Sequence, residues 1–373
     1  MARETMRLGL AGYGAFGTFL IESWQALPNV EIVAIAGRNE MRLRTVSERY
    51  GIPKRYIGYG GLCTDPDVDV VAIATPPVSH SAIAIAATRA GKHVLCEPPL
   101  GLSVDQADGM IQAAAEAGVR LGVDHAMRYN PLVGTVKALI DQGRLGRLQR
   151  IVFENQASDE GRPLTHWLWD PKQSGGILVD QGVRMFDLYA YLISSPCSRA
   201  GSWTATRPGT DQEDRTFAIV EYENGVLATF SHTLSRPAWM ARTWAELAFE
   251  RGYLRMNGWL PHELELEAWV DDADHEALQA LFASDLQVIE QYPVDQRPVR
   301  DGGQPYWVRQ YVRLRHQLEV SGDALLRQCV QAVLQDFIAA VQNPSHRLRV
   351  TAEDARASLA VAQAARQHRV LPG

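Results

Sequence analysis

Arg7-Leu8-Gly9-Leu10-Ala11-Gly12-Tyr13-Gly14-Ala15-Phe16-Gly17 begins as a short apolar run, breaks into a G-x-G-x-x-G turn and passes into the helical pattern Phe19, Leu20, Ser23, Trp24. Such glycine spacing is weak evidence alone. Here it lies between a strand and a helix, and a second apolar strand (residues 31–36) follows within one βαβ length, so the stretch reads as the entry to a doubly wound α/β sheet. Gly12 permits the tight turn, and Gly14 lets backbone approach a diphosphate. Gly17 lets the helix pack on the strand while its first N–H groups face the anion. Tyr13, Ala15 and Phe16 complete the cofactor-binding turn. An acidic residue closing the second strand would hold a ribose 2′-hydroxyl and repel a 2′-phosphate, but the chain has Gly37-Arg38-Asn39 there. NADP is therefore the expected cofactor, with NAD possible. Arg38 is either the phosphate clamp or a solvated loop arginine.

Outward from this turn the alternation continues through a strand at residues 68–74, a helix at 79–90 and a strand at 93–96. A helix capped by Ser103 and running to about residue 117 precedes a sixth strand at 119–123. Ligands of such a sheet gather at the strand C-terminal edge, which places Ala74, Thr75, Pro76, His80, Glu97, Pro98 and His125 there. His80 either touches the nicotinamide ribose or is a helix-entry histidine bonded to backbone. Beyond Gly146 the pattern becomes mainly strands. Residues 217–223 and 226–232 flank Asn224-Gly225, and 244–250 and 253–257 flank Arg251-Gly252, as in an antiparallel meander. Residues 261–320 look like an insertion with no assignable strands, and 323–342 form an amphipathic helix. The expected fold is an N-terminal Rossmann doubly wound parallel sheet (1–125) followed by an α+β domain with a large open, mainly antiparallel sheet (126–373). The closing helices are expected to pack back on the first domain.

The composition bounds the function. A chain of 373 residues, 46% hydrophobic and 21% charged, is long enough for two globular cores. A net charge of -6 gives no basic excess for a phosphate backbone, so small-molecule partners are expected and nucleic acid is not. Cys63, Cys96, Cys197 and Cys329 show no C-x-x-C spacing, which argues against a zinc site or disulfide framework and for a reducing, cytoplasmic setting. No apolar run is expected to reach the ~18 residues that span a bilayer, so no membrane partner is expected. H-E-x-x-H and G-x-S-x-G are both absent, leaving metal and serine hydrolysis unsupported and no metal expected.

A series of ordered matches resembles the glucose-fructose oxidoreductase, inositol dehydrogenase and MocA family. They are the glycine turn, Ala74-Thr75-Pro76-Pro77 with His80, the approach Gly91-Lys92-His93-Val94-Leu95-Cys96-Glu97 to an E-K-P position, Arg128 before Asn130-Pro131, and Gly175-Gly176 before Asp180-x-Gly182-x-x-x-x-Asp187. The closing Asp336-Phe337 and Thr351-Ala352-Glu353-Asp354-Ala355 extend the likeness over almost the whole chain. The resemblance implies a homodimer or homotetramer built through the C-terminal sheet. It also implies two proton-moving groups, the lysine of E-K-P and a histidine before the last aspartate. This chain has Pro98 and Arg184 at those places.

Arg184 keeps its proton and can only clamp or polarise. On an ideal helix Asp180, Arg184 and Asp187 share one face, either with Asp180 as proton acceptor and Arg184 as substrate anchor or as a structural ion pair. His166 is a further acid-base candidate. His125, Arg128 and Trp167 are substrate-binding candidates, and Arg128 is also a cofactor-binding one. The leading expectation is an NAD(P)-dependent oxidoreductase acting on a sugar-like, cyclic or carboxylated alcohol or carbonyl compound. A dinucleotide-binding sensor that has lost catalysis is the alternative, and a non-redox lyase or isomerase is a third reading.

Overall fold

The computed structural model describes residues 5–294 and 296–367. The chain divides into two compact units, one made of residues up to Tyr129 with Pro163–Asp187 and Asp323–Gln363, the other of Asn130–Arg162, Leu188–Gly322 and the residues after Gln363. It first leaves the first unit four residues beyond position 125, then returns twice.

In the first unit β1 (Met6–Ala11), β2 (Val30–Gly37), β3 (Lys54–Ile57), β4 (Val70–Ile73), β5 (His93–Cys96) and β6 (Leu121–Val123) form one sheet in the order β3-β2-β1-β4-β5-β6. Every pairing in it is parallel. This is the expected doubly wound sheet. Its strand order reverses between β1 and β4, where ligands of such sheets bind. β4 is buried at every position, so it reads as an unbroken apolar run rather than an alternating one.

The helices α1 (Ala15–Trp24) and α2 (Glu40–Tyr50) follow the first two strands. α1 buries Leu20, Ile21 and Trp24. The Trp24 indole donates to the Val330 carbonyl at 3.1 Å, so its polar edge is satisfied inside the core. Val330 lies on the helix Gly322–Gln342, whose Val333, Leu334, Phe337 and Ile338 join the same core cluster. This helix corrects one sequence expectation, because its 21 residues are long and apolar enough to cross a membrane by length and composition. Its apolar face is instead spent in the core of this unit.

The second unit holds a nine-stranded sheet. Its strands are β7 (Leu148–Ser158), β8 (Cys197–Thr206), β9 (Glu213–Tyr222), β10 (Leu227–Arg236), β11 (Arg242–Phe249), β12 (Gly252–Asn257), β13 (Glu263–Val270), β14 (Leu286–Gln291) and, after the two-stranded ribbon β15 (Pro298–Asp301) and β16 (Gln304–Trp307), β17 (Gln310–Gln317). The order is β14-β17-β13-β12-β11-β7-β10-β9-β8. All neighbours are antiparallel except β7 and β10, so the sheet is mixed but mainly antiparallel, as expected. The stretch 261–320 is not an insertion without strands. It supplies β13, β14 and β17 to the main sheet.

Candidate functional site

The turn after β1 is built around contacts that admit no side chain. Gly12 has φ +99°, and a Cβ on it would lie 2.4 Å from the Ala74 carbonyl oxygen at the end of β4. A Cβ on Gly17 would lie 2.3 Å from the Gly12 carbonyl oxygen, so α1 packs directly on the turn. Gly14 is different. It is the N-cap of α1, has no side-chain cap bond, and a Cβ on it would meet nothing within 4 Å. With no acidic residue in the first turn of α1, the leading N–H groups and the positive end of the helix dipole lack an anionic partner from the chain. A dinucleotide diphosphate fits this cradle in charge and in room.

The neighbouring residues set the side of the cradle. The Tyr13 hydroxyl donates to the Asn39 carbonyl (2.8 Å) and accepts from the Asn39 N–H (3.1 Å), tying the turn to the end of β2. Asn39 also caps α2, its Oδ1 accepting from the Arg42 N–H at 3.0 Å. Ala15, Phe16 and Arg38 are exposed. At the end of β4, Ala74, Thr75 and Pro76 are half-buried. The Thr75 carbonyl lies 2.7 Å from His80 Nε2, and the Pro99 carbonyl 2.8 Å from His80 Nδ1. Burial holds this imidazole's pKa down, with the two carbonyls pulling the other way. His80 therefore takes the second of its two readings, a buried strut between loops. Both ring nitrogens face backbone carbonyls, to one of which the neutral ring donates, leaving no open polar edge for a ribose.

The expected stripe of Asp180, Arg184 and Asp187 disperses. Residues Leu178–Gly182 form a π-turn ahead of the helix Val183–Ile193, which breaks the ideal 100° spacing. Arg184 donates to the backbone carbonyl of Asp180 and, at 2.9 Å, to that of Pro98. The Asp180 carboxylate accepts from the Gln181 amide instead. Asp187 is held by Arg128 through two bonds, Nη2 to Oδ1 at 2.6 Å and Nε to Oδ2 at 2.8 Å. Arg128 also donates to Asp354 (3.2 Å) and to the Arg349 carbonyl (3.1 Å). It is thus a buried hub joining three segments rather than an open hand for a ligand. His125 lies beside it, Nδ1 3.7 Å from Asp187, and burial first and then Arg128 and Arg184 push its pKa well down.

His166 caps the short turn Trp167–Trp169, its Nδ1 accepting from the Leu168 N–H at 3.2 Å, and its ring lies 5.2 Å from that of Trp167. Trp169 is buried and Trp167 half-buried.

The structure adds one residue that the sequence reading did not single out. Asp124 follows β6 as Glu97 follows β5, and the Asp124 N–H donates to the Cys96 carbonyl at 2.9 Å. Two adjacent strands thus end on carboxylates at the cofactor edge. The signal was present as two apolar strands each closed by an acidic residue. Among the described residues no group of three or more His, Cys, Asp or Glu is placed to hold a metal.

Comparison with known proteins agrees with this architecture. The model of the oxidoreductase family with NAD-binding Rossmann fold matches residues 6–125, and that of the GFO/IDH/MocA C-terminal domain matches 133–255. Myo-inositol 2-dehydrogenase of Thermotoga maritima is 31% identical over 188 residues, 50% of this chain and 55% of that protein. Trans-1,2-dihydrobenzene-1,2-diol dehydrogenase of Bos taurus is 30% identical over 234 residues, 62% of this chain and 68% of that protein. The chain therefore spans a little over half of the first relative's length and about two thirds of the second's. Levoglucosan dehydrogenase, solved with NADH and L-sorbose, superposes with a TM-score of 0.76 at 20% identity, over 97% of this chain and 96% of that one.

Proposed function

The chain belongs to the GFO/IDH/MocA oxidoreductase family, and from that premise we propose that it is an NADP-preferring dehydrogenase or reductase of a cyclic, sugar-like or diol substrate. The observation that carries this reading is the uncapped glycine cradle of α1, formed so closely that Gly12 and Gly17 exclude any Cβ. When bound, the dinucleotide supplies the hydride acceptor or donor. The turn from Gly12 to Gly17 binds its diphosphate through backbone N–H groups, and Arg38 holds the 2′-phosphate. Arg184, fixed by the Pro98 and Asp180 carbonyls, orients and polarises the substrate's oxygen or carboxylate without exchanging a proton. The relatives' names, a myo-inositol dehydrogenase and a dihydrodiol dehydrogenase among them, support a polyol or diol as the substrate class.

The test is a spectrophotometric screen. Purified chain with oxidised or reduced NADP is offered myo-inositol, levoglucosan, 1,5-anhydro-D-fructose and a trans-dihydrodiol, and nicotinamide absorbance is followed. Turnover of any of these supports the reading. Tight NADPH binding with no turnover across the panel favours the sensor alternative, for which the residues Pro98 and Arg184 speak. Replacing Arg38 with Ala is expected to weaken NADPH binding by roughly tenfold or more and leave NADH nearly unchanged, as for loss of a charge-assisted bond. Fluorescence titration with both nucleotides checks it, and equal losses would remove Arg38 from the phosphate.

The homo-oligomer is also a proposal, supported by an exposed apolar strip. Trp203 faces Phe217 across β8 and β9, with Ile219 two residues on, and all three are exposed. Sedimentation showing a dimer or tetramer that Trp203→Glu dissociates is the expected result.

A further inference from the structure

Cys96 and Val123 are the last register partners of β5 and β6, and the ladder runs one step further through the Asp124 N–H and the Cys96 carbonyl. Glu97 and Asp124 are therefore register neighbours, with backbones roughly 5 Å apart and side chains on the same side of the sheet. Asp124 is 5% exposed, and the Glu97 side chain 11%. Glu97 Oε1 and both carboxyl oxygens of Asp124 are buried and accept no hydrogen bond from a donor among the described residues. Arg184 Nη2 stands 3.9 Å from Glu97 Oε2, too far for a hydrogen bond but close enough to balance one negative charge. Two buried carboxylates side by side without donors are costly. If one is protonated it donates to the other, which removes a charge and engages an oxygen of each residue in one hydrogen bond.

We propose that Glu97 and Asp124 hold one proton between them at neutral pH, and that Glu97, the less buried, exchanges it with the substrate's oxygen in place of the missing lysine. The second half rests on the redox reading above, whereas the first half does not. In the oxidising direction the substrate O–H bond breaks and its proton joins an unprotonated oxygen of the pair. The O–H electron pair closes the carbonyl as the hydride leaves carbon for the oxidised nicotinamide. In the reducing direction the proton returns. Asp124 acts through Glu97 and is a positioning residue.

Burial and then repulsion from Asp124 push Glu97 well above the usual carboxylate range. Burial pushes Asp124 up to about 6, with Glu97 and Arg184 pulling it back. The other groups facing the pair are Cys96 on β5, Tyr129 beyond β6 and Cys329 on the helix Gly322–Gln342, and burial keeps all three uncharged. The pair titrates as a unit, so its apparent values belong to both residues.

Infrared titration of the full chain without nucleotide tests the shared proton. Wild type should show a protonated-carboxyl band at neutral pH that shifts in heavy water, and in Asp124→Asn this band should titrate about one unit or more lower. Glu97→Gln serves as the second variant should Asp124→Asn fold poorly, and it should likewise alter the band. Identical titrations in wild type and both variants would overturn the proposal. Stability gives a second readout. Both folded pKa values lie above the unfolded ones, so stability is fully present in acid and is lost as pH rises through about 6, a loss that Asp124→Asn should reduce. Where turnover is found, the acid limb of kcat/KM against pH should shift in Asp124→Asn; a lower rate with an unmoved limb would mark Asp124 as merely structural and sink its role. Failure of the redox reading shows separately, as absent NADPH binding by fluorescence, and leaves the infrared result standing.

Discussion

Arg128→Ala is expected to destabilise the protein by about 3–5 kcal/mol, the range for removing one partner of a buried ion pair. Arg128 is 6% exposed and Asp187 2%, and the two bonds between them are short, one to each carboxyl oxygen. Alanine would leave Asp187 without its fork and would also release Asp354 and the Arg349 carbonyl from the same guanidinium. Arg128→Lys restores the charge but not the planar fork, so it should recover part of the loss. The penalty depends on pH. Burial already lifts Asp187 to about 6 against the pull of Arg128, and without that pull it rises further. A raised folded pKa means stability is kept in acid and lost as pH rises through it, so the deficit of Arg128→Ala should widen on the alkaline side. Urea unfolding of wild type and both variants across that range is the measurement. A deficit below about 1 kcal/mol at all pH values would show that the hub is surface-like in energy.

The second large effect separates binding from folding within one loop. Gly14→Asp is expected to weaken NADPH by about 100-fold or more, since it sets a like charge where the diphosphate approaches and blocks backbone donors worth about 1.5–3 kcal/mol each. It should scarcely move the melting temperature, because a Cβ at this position meets nothing within 4 Å and φ is not positive. Gly12→Ala should do the opposite in folding. At φ +99° with the Ala74 carbonyl 2.4 Å from the new carbon, the turn must open, and both stability and binding should fall. Calorimetry and nucleotide fluorescence on the two variants decide it. Full NADPH affinity in Gly14→Asp would detach the nucleotide from this turn.

Several elements were legible because their signals are local. The glycine turn, the Ser103 cap and the Asn224-Gly225 hairpin each need only a few consecutive residues, and the structure contains all three. β13 was missed although Leu264, Leu266, Ala268 and Val270 alternate with outward residues, because its three glutamates are poor strand formers in isolation. Its neighbours β12 and β17 on either side make the strand.

The chain's linear order alone determined that a strand enters a glycine turn and a helix, since that spacing lies within about ten residues, and the order of α and β elements determined the parallel sheet; the carbonyl that excludes a Cβ at Gly12 comes from Ala74 at the end of β4. Which charged groups meet was decided only in three dimensions. Asp124 lies beside Glu97 because β5 and β6 pair in one register and not another, and Arg128 holds Asp187 and Asp354 because the chain returns to the first unit twice. The physical reason is range. Turn and helix preferences act between neighbours in sequence, whereas the cost of burying a charge is settled by whatever partner the packed fold brings within a few ångströms.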